Sequence, residues 1–241
     1  MSATAEKTVR EVVLESPEAT RVLEKLGIDY CCGGGQTLER ACQTAGVPIG
    51  EVLVWLEAAA TKTGGPAEER DWQTAPLAEL IAHIQNTHHR FTRDELARIA
   101  PLADKVCAVH GSNHPELSGI RETFAGLAEE LTAHLMKEEM ILFPFVIRME
   151  QAVSRGQAMP RAPFGTVGNP IAMMAQEHDG AGEALRRMRR LSCDYAVPAD
   201  ACISFQTLYG ALAGLEGDLH RHIHLENNIL FPRAIAMEQA G

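Results

Sequence analysis

A pairing of histidine with glutamate that occurs twice constrains what this chain can fold into more than any other feature. The first copy has His134 followed four residues later by Glu138, and the second has His222 followed four residues later by Glu226. Both copies run on into the letters Ile-Leu-Phe-Pro at the same distance from the histidine. The histidines lie 88 positions apart, which is too long for a solenoid repeat and is typical of two related halves of one domain.

A spacing of four places the two side chains of each pair on the same face of an α-helix. One such pair could be a polar stripe on a solvated face, or a hydrogen-bonded histidine in a core. Two copies in one register, each running into an apolar segment, favour a ligand set instead. Glu130 and Asp218, four residues before the histidines, extend each stripe by one turn. Glu139 should point about 100° away from Glu138 and take no part.

Composition narrows the class of partner. The chain has 241 residues, of which 46% are hydrophobic, so it can bury a sizeable core. A net charge of −10 argues against nucleic acid or an anionic membrane as the main partner. No apolar run approaches the ~20 residues that span a bilayer, and the N-terminus lacks the apolar segment of a secretory signal. Cys31 and Cys32 are adjacent and cannot form an ordinary disulfide, so we predict reduced thiols and a cytoplasmic protein.

The chain divides into two helical parts. Residues 1–62 predict a small domain of three short helices around a Cys-Cys-Gly-Gly loop that starts at Cys31. Residues 63–73 are polar and rich in turn formers, as in a linker. Residues 74–241 carry four long helical patterns and no strand pattern, so the predicted fold class is all-α, with an up-down four-helix bundle after the small domain. The bundle supplies every predicted ligand, and we expect it to bind metal by itself.

A similar shift relates single histidines on the other two helices. His89 and His178 lie 89 positions apart, so each half offers one histidine and then a His-x-x-x-Glu pair. Four imidazoles and two bridging carboxylates suit two metal ions, and these donors favour iron, then manganese, over structural zinc. His88 adjoins His89 and is the alternative ligand at that position. The six predicted metal ligands are His89, His134, Glu138, His178, His222 and Glu226.

These motifs carry a family resemblance that covers nearly the whole chain. Residues 74–241 look like a hemerythrin-like bundle, and with the preceding segment from Asp29 to Gly34 the chain resembles the iron–sulfur cluster repair di-iron proteins, the RIC family. The resemblance implies two non-haem iron ions, with an oxo bridge as an option, and repair of iron–sulfur clusters damaged by nitric oxide or oxidative stress. It implies damaged iron–sulfur proteins as transient partners and NO or O2 as small ligands. Oxygen carriers have a His-x-x-x-His pair where this chain has only His178, which argues against simple oxygen transport.

Three further side chains are predicted to take part in the chemistry. The resemblance favours a redox or iron-transfer role for Cys31 and Cys32, with a thiol pKa lowered by the loop, and packing residues at a glycine-rich turn are the alternative. Glu130 is a candidate proton donor, and with Asp218 and Glu177 it is a candidate to orient imidazoles. The sequence does not decide between an enzyme, an iron donor and a non-catalytic NO or O2 sensor or iron store. It also leaves the oligomeric state open, a homodimer included.

The duplicated ligand pattern makes a direct prediction about metal content. Protein purified after expression with ample iron should hold close to two irons per chain and show the absorption of an oxo-bridged di-ferric centre. Metal analysis and visible spectroscopy measure both properties. A reproducible single zinc ion, or no metal at all, would contradict the predicted ligand set.

Overall fold

The structure is a computed structural model that describes residues 3–60 and 70–240. Within these ranges the regular elements are helices, and no β-strand forms. The predicted all-α fold class is therefore confirmed. None of the helices in the described ranges is long and apolar enough to cross a bilayer.

The chain forms two compact units. The N-terminal unit comprises residues 1–75 and 223–232, and the bundle unit comprises residues 76–222 and 233–241. A short segment near the end of the chain therefore packs as part of the N-terminal unit, although it belongs to the last long helix. The predicted domain boundaries stay predictions, and residues 63–69 of the predicted linker lie outside the described residues.

The described part of the N-terminal region contains four short helices, one more than the sequence predicts. They are α1 (Val9–Glu15), α2 (Ala19–Lys25), α3 (Leu38–Ala45) and α4 (Ile49–Ala60). The unpredicted helix, α1, has only seven residues, which is too short for an apolar period to reveal. Its signal is a capping box, in which the Thr8 hydroxyl accepts from the N–H of Glu11 and the Glu11 carboxylate accepts from the N–H of Thr8.

The N-terminal unit buries one apolar core between these helices. α3 shows how its elements are delimited, because the Thr37 side chain caps its start and Gly46 ends it in the left-handed conformation at a φ of 70°. The last long helix contributes Ile223 to the same core. The other buried core residues include Val9, Val12, Leu23, Leu38, Val52 and Leu56.

Four long helical rods follow in the described chain, as predicted. The first is α5 (Leu77–His83), π1 (Ile84–His89) and α6 (Arg90–His110), and the second is α7 (Glu116–Lys137), π2 (Glu138–Leu142) and α8 (Phe143–Ser154). The third is α9 (Gly168–Leu191), and the fourth is α10 (Ile203–Leu225), π3 (Glu226–Leu230) and α11 (Phe231–Ala240). In the bundle unit α7 packs against α6 and α9, and α5 packs against α8. The core includes Ile99, Phe124, Leu131, Leu185, Phe205 and Leu212.

The π-helical stretches depart from the regular α-helix that the sequence predicts. Each stretch begins or ends at a predicted metal ligand. In the first copy the N–H of Phe143 donates to the carbonyl of Glu138, five residues back rather than four. Pro144 follows and has no N–H, so the next bond of a regular α-helix cannot form. The second copy repeats this arrangement at Glu226 and Pro232. The prolines therefore favour the π-helical turn that begins at each glutamate.

Two glutamates 88 positions apart hold the starts of two helices and extend the duplication. Glu150 accepts hydrogen bonds from the backbone N–H groups of Leu77 (2.6 Å) and Ala78 (2.9 Å) at the start of α5. Glu238 accepts one from the N–H of Val167 (2.9 Å), directly before α9. Such N–H groups have no carbonyl partner within their own helix, so the carboxylates satisfy them. The two halves therefore share these hydrogen bonds at the helix starts as well as the spacing of their predicted ligands.

Replacing Glu150 with alanine should lower the free energy of unfolding by about 1–2 kcal/mol, because the first N–H groups of α5 lose a charged acceptor. Thermal or denaturant unfolding, followed by circular dichroism, measures the change. The control is Glu129→Ala, which alters an exposed glutamate on α7 and should change stability far less. Equal stability of the two variants would show that the cap contributes nothing.

Candidate metal centre

The structure brings the six predicted ligands together in two groups, and both groups contain the same two glutamates. Within each group the ligand atoms lie within 4.8 Å of one another, and all the side chains are buried. Five of the six residues belong to the bundle unit, and Glu226 stands one turn after His222 on the same helix. In the described part of the chain one group is His89, Glu138, His222 and Glu226, and the other is His134, Glu138, His178 and Glu226.

Each group contains a pair of facing imidazoles. Nε2 of His89 lies 3.1 Å from Nε2 of His222. Nε2 of His134 lies 3.1 Å from Nε2 of His178. Oε2 of Glu138 lies 3.5 Å from Nε2 of His89 and 3.4 Å from Nε2 of His134, so this carboxylate faces both pairs. Glu138 could therefore be shared by two ions, one held in each group.

The chemistry of these donors fits a pair of metal ions. Glu138 and Glu226 are both 0% exposed, and an ionised carboxylate is costly to bury unless positive charge neutralises it. Neutral imidazoles bring no charge, whereas divalent cations shared by the two carboxylates would offset their negative charge. Nitrogen and oxygen donors without a thiolate are typical of non-haem iron sites and differ from those of most structural zinc sites.

Glu139 holds the outer nitrogen of one predicted ligand. Its Oε1 lies 2.7 Å from Nδ1 of His89, and its Oε2 accepts a hydrogen bond from Arg93 at 2.7 Å. Burial raises the pKa of Glu139, but the hydrogen bonds from His89 and Arg93 outweigh it and lower the pKa below its ordinary value. The ionised carboxylate can then fix the ring of His89. The sequence analysis expects Glu139 to take no part, but the structure places it against His89, because helical geometry locates the direction of a side chain and not the neighbour that it meets.

Glu177 holds the outer nitrogen of a second ligand, in the orienting position predicted for it. Its Oε2 lies 2.8 Å from Nδ1 of His134, and Lys137 donates to its other oxygen. Burial raises the pKa of Glu177, but the hydrogen bonds from Lys137 and His134 outweigh it and lower the pKa. Glu130, the other orienting candidate on this side, is exposed, and it lines a cleft of about 490 Å³ that His134 and His178 also line.

His88 lies in a different environment from His89. Its Nδ1 lies 3.1 Å from each carboxylate oxygen of Asp218, and its ring stacks on that of His222 with 5.6 Å between the centroids. The structure therefore brings His89, and not His88, into a ligand group. Asp218, predicted to orient an imidazole, therefore contacts His88, whose ring stacks on that of the predicted ligand His222.

The thiol loop, residues 29–34, carries a third group of potential ligands within the described residues: Asp29, Cys31 and Cys32. The two sulfurs lie 3.8 Å apart. Oδ1 of Asp29 accepts hydrogen bonds from the N–H groups of Cys31, Cys32 and Gly33. The hydrogen bond with Cys32 and burial raise the pKa of Cys31 well above its ordinary value. The expected lowering is therefore wrong for Cys31, because the sulfur is enclosed and a carboxylate lies beside it.

Comparison with known proteins identifies similarities in both parts of the chain. A family profile described as Hemerythrin HHE cation binding domain matches residues 80–234, and one described as Domain of Unknown function (DUF542) matches residues 5–60. The chain is 36% identical to the iron–sulfur cluster repair protein YtfE of Pectobacterium carotovorum, over 97% of this chain and 98% of that protein. It is 38% identical to the YtfE proteins of Escherichia coli and Shigella boydii, over 95% of this chain and 96% of theirs.

These similarities bear on the predicted fold and cofactor. The hemerythrin match includes every predicted ligand and most of the four rods, so the resemblance to a hemerythrin-like bundle is confirmed. Together with the two buried ligand groups, it confirms the predicted class of cofactor, a di-iron centre. The assignment of individual side chains to the ions stays a prediction.

Substitutions at two adjacent glutamates separate a ligand from a residue that orients one. Glu138→Ala should abolish binding of both ions, because both groups lose a shared carboxylate. Glu139→Ala should weaken iron binding roughly 10- to 100-fold, because His89 loses the acceptor that fixes its ring. Iron content measured over a series of chelator concentrations reports both changes.

The control for these variants is Glu122→Ala, an exposed position on α7 that should leave iron binding at the wild-type level. Wild-type iron affinity in Glu139→Ala would mean that its contact with His89 does not orient the ring. Complete loss of iron, as in Glu138→Ala, would make Glu139 a ligand and would require a different assignment of the site.

Proposed function

The chain belongs to the YtfE family of iron–sulfur cluster repair proteins, and we propose that it restores iron–sulfur clusters damaged by nitric oxide or oxidative stress. The observation that carries this proposal is the pair of buried ligand groups that share Glu138 and Glu226. The same chain carries two adjacent thiols, Cys31 and Cys32. Delivery of iron to a sulfur-rich acceptor requires a place that holds iron and a softer group that passes it on.

The bundle residues would hold the iron. His89 and His222 would complete the ligand set of one ion, and His134 and His178 that of the other, with the glutamates shared. Each group offers four donors, so an ion that takes five or six ligands has room for a small molecule. Iron bound there would supply redox chemistry toward NO or O2, or iron for transfer.

The thiol pair would provide the softer group. Cys31 is buried and Cys32 is half-buried, so the pair is partly open to solvent. Their sulfurs lie 3.8 Å apart, which allows one thiophilic cation to contact both at a metal–sulfur distance of about 2.3 Å. Thiolates suit iron in sulfur-rich surroundings better than imidazoles and carboxylates do. We infer that the pair accepts iron on its way to a damaged cluster.

Glu130 would supply a proton where NO is reduced at the site. Its exposed carboxyl lines the same cleft as His134 and His178, so it can exchange protons with solvent beside two of the proposed ligands. Sensing of NO or O2, or storage of iron, would need the same ligands but no turnover. NO consumption with excess reductant distinguishes these functions, because a sensor binds its ligand once and stops.

The proposed place of action is the cytoplasm, where thiols such as those of the loop stay reduced. The partners would be iron–sulfur proteins with damaged clusters, met transiently. The small ligands would be NO or O2. A net charge of −10 accords with acceptors that are proteins rather than nucleic acids.

A repair assay with thiol variants tests the proposal. The iron-loaded protein is incubated with a dehydratase whose [4Fe–4S] cluster has been damaged by NO, and recovery of the dehydratase activity is followed. We expect recovery with the wild-type protein and not with metal-free Glu138→Ala. The double variant Cys31→Ser, Cys32→Ser should keep its iron spectrum and lose more than half of the repair rate.

The control for the thiols is the double variant Cys193→Ser, Cys202→Ser, which changes two exposed cysteines outside the loop and should repair at the wild-type rate. Repair by the loop variant at the wild-type rate would identify Cys31 and Cys32 as packing residues. Failure of the iron-loaded wild type to restore any activity would overturn the proposed function itself.

A further inference from the structure

Asn228 is a buried amide two residues after Glu226, and it is 3% exposed. Its Oδ1 accepts a hydrogen bond from Nε of Arg10 at 2.9 Å. Its Nδ2 donates to the backbone carbonyl of Tyr30 at 3.0 Å and lies 2.8 Å from Nδ1 of His224. Both ends of the amide therefore have partners, and two of these partners belong to the N-terminal helices and the thiol loop.

The neighbouring residue adds to the same connection. Nδ2 of Asn227 donates to the backbone carbonyl of Cys31 at 3.2 Å, and the carbonyl of Asn227 accepts from Arg10 at 3.3 Å. Two consecutive carbonyls of the thiol loop are thus held by two consecutive asparagines of π3. A polar group that is buried destabilises the fold when it loses its hydrogen-bond partner, so these contacts fix the loop and π3 together.

Gly34 shows how closely the loop approaches Asn228. A Cβ atom on Gly34 would lie 2.6 Å from Oδ1 of Asn228, a distance that real Cβ atoms essentially never show, so one of the two groups would have to move. A Cβ atom on Gly35 would meet nothing within 4 Å. Neither glycine has a positive φ, so Gly34 is required for space rather than for backbone conformation. Gly34, the second glycine after the two cysteines, is therefore explained by the amide of Asn228.

Among the described residues, the matching positions in the first half of the duplication lie in different surroundings. Met140 corresponds to Asn228 by the shift of 88, and it is 74% exposed. Glu139 corresponds to Asn227, and it faces His89 instead. The two halves therefore support their shared glutamates differently: Glu138 is followed by a residue that orients a ligand, and Glu226 by residues that bind the thiol loop.

We propose that Asn228 is a positioning residue, which holds the turn that bears Glu226 to the thiol loop so that retention of iron depends on Arg10 and on that loop. π3 lacks the regular α-helical hydrogen bonds and is followed closely by Pro232, which has no N–H, so the helix itself constrains this turn weakly. The contacts of Asn228 replace that constraint. The expectation that the bundle binds metal by itself then changes, because residues 74–241 lack Arg10 and the thiol loop. The inference rests on the proposed role of Glu226 as an iron ligand.

Four single variants of the full-length, iron-loaded protein test this role. Asn228→Ala removes the amide, and Gly34→Ala displaces it from the loop side without altering the helix. The controls are Met140→Ala, at the matching position of the other half, and Gly35→Ala, one residue along the loop. The rate of iron loss to a chelator, the iron absorption spectrum and the thermal unfolding midpoint are measured for each.

Asn228→Ala and Gly34→Ala should release iron roughly 10- to 100-fold faster than wild type and show a shifted iron absorption spectrum. Both controls should match wild type. The double variant Gly34→Ala, Asn228→Ala should release iron no faster than Asn228→Ala, because the oxygen that the new Cβ would meet is gone. If Asn228→Ala fails to fold, Asn228→Asp, which loses both donors, is measured in its place with the same expected result.

Glu226→Ala separates failure of this inference from failure of the ligand assignment. Rapid loss of iron in Glu226→Ala, together with wild-type rates in Asn228→Ala and Gly34→Ala, would overturn the positioning role and leave the proposed site intact. Normal iron retention in Glu226→Ala would overturn the ligand assignment and the positioning role with it. Equal rates of iron loss in Gly34→Ala and Gly35→Ala would also overturn the positioning role, because only a Cβ at position 34 would be crowded by Asn228.

Discussion

Two buried carboxylates determine what the rest of the structure must provide. Glu138 and Glu226 have no exposed surface, and such groups are tolerated only where positive charge and well-placed donors surround them. Four imidazoles lie in the two groups that contain these carboxylates, and a pair of metal ions bound there would supply the positive charge. Two of the imidazoles are held in turn by carboxylates. Glu139 hydrogen-bonds to Nδ1 of His89, and Glu177 to Nδ1 of His134. Apolar packing of the helices builds a frame around this polar centre.

Helical register explains why the sequence singled out the six side chains that the structure brings together. Glutamate follows histidine by four residues in both copies, and a helix converts that local spacing into a shared face. The duplication then related His89 to His178, which no local pattern would single out. Membership of a known family supplied what spacing left open, since the same donors also suit manganese.

The features that sequence analysis missed depend on residues far apart in the chain. His89 and Glu139 are 50 positions apart, and Asn228 reaches Tyr30 across 198 positions. A helical pattern shows which way a side chain points, but it does not show which neighbour it meets. The raised pKa of Cys31 has the same origin, because it follows from tertiary burial and a nearby carboxylate. The capping box of α1 is local, and it could have been found by searching for that motif.

Anomalous X-ray scattering at the iron edge, from crystals of the iron-loaded protein, tests most directly whether two ions share the two glutamates. We predict two peaks within the helical bundle. One should lie within bonding distance of His89 and His222, the other within bonding distance of His134 and His178, and both beside Glu138. A single peak, or two peaks away from these side chains, would contradict the assignment.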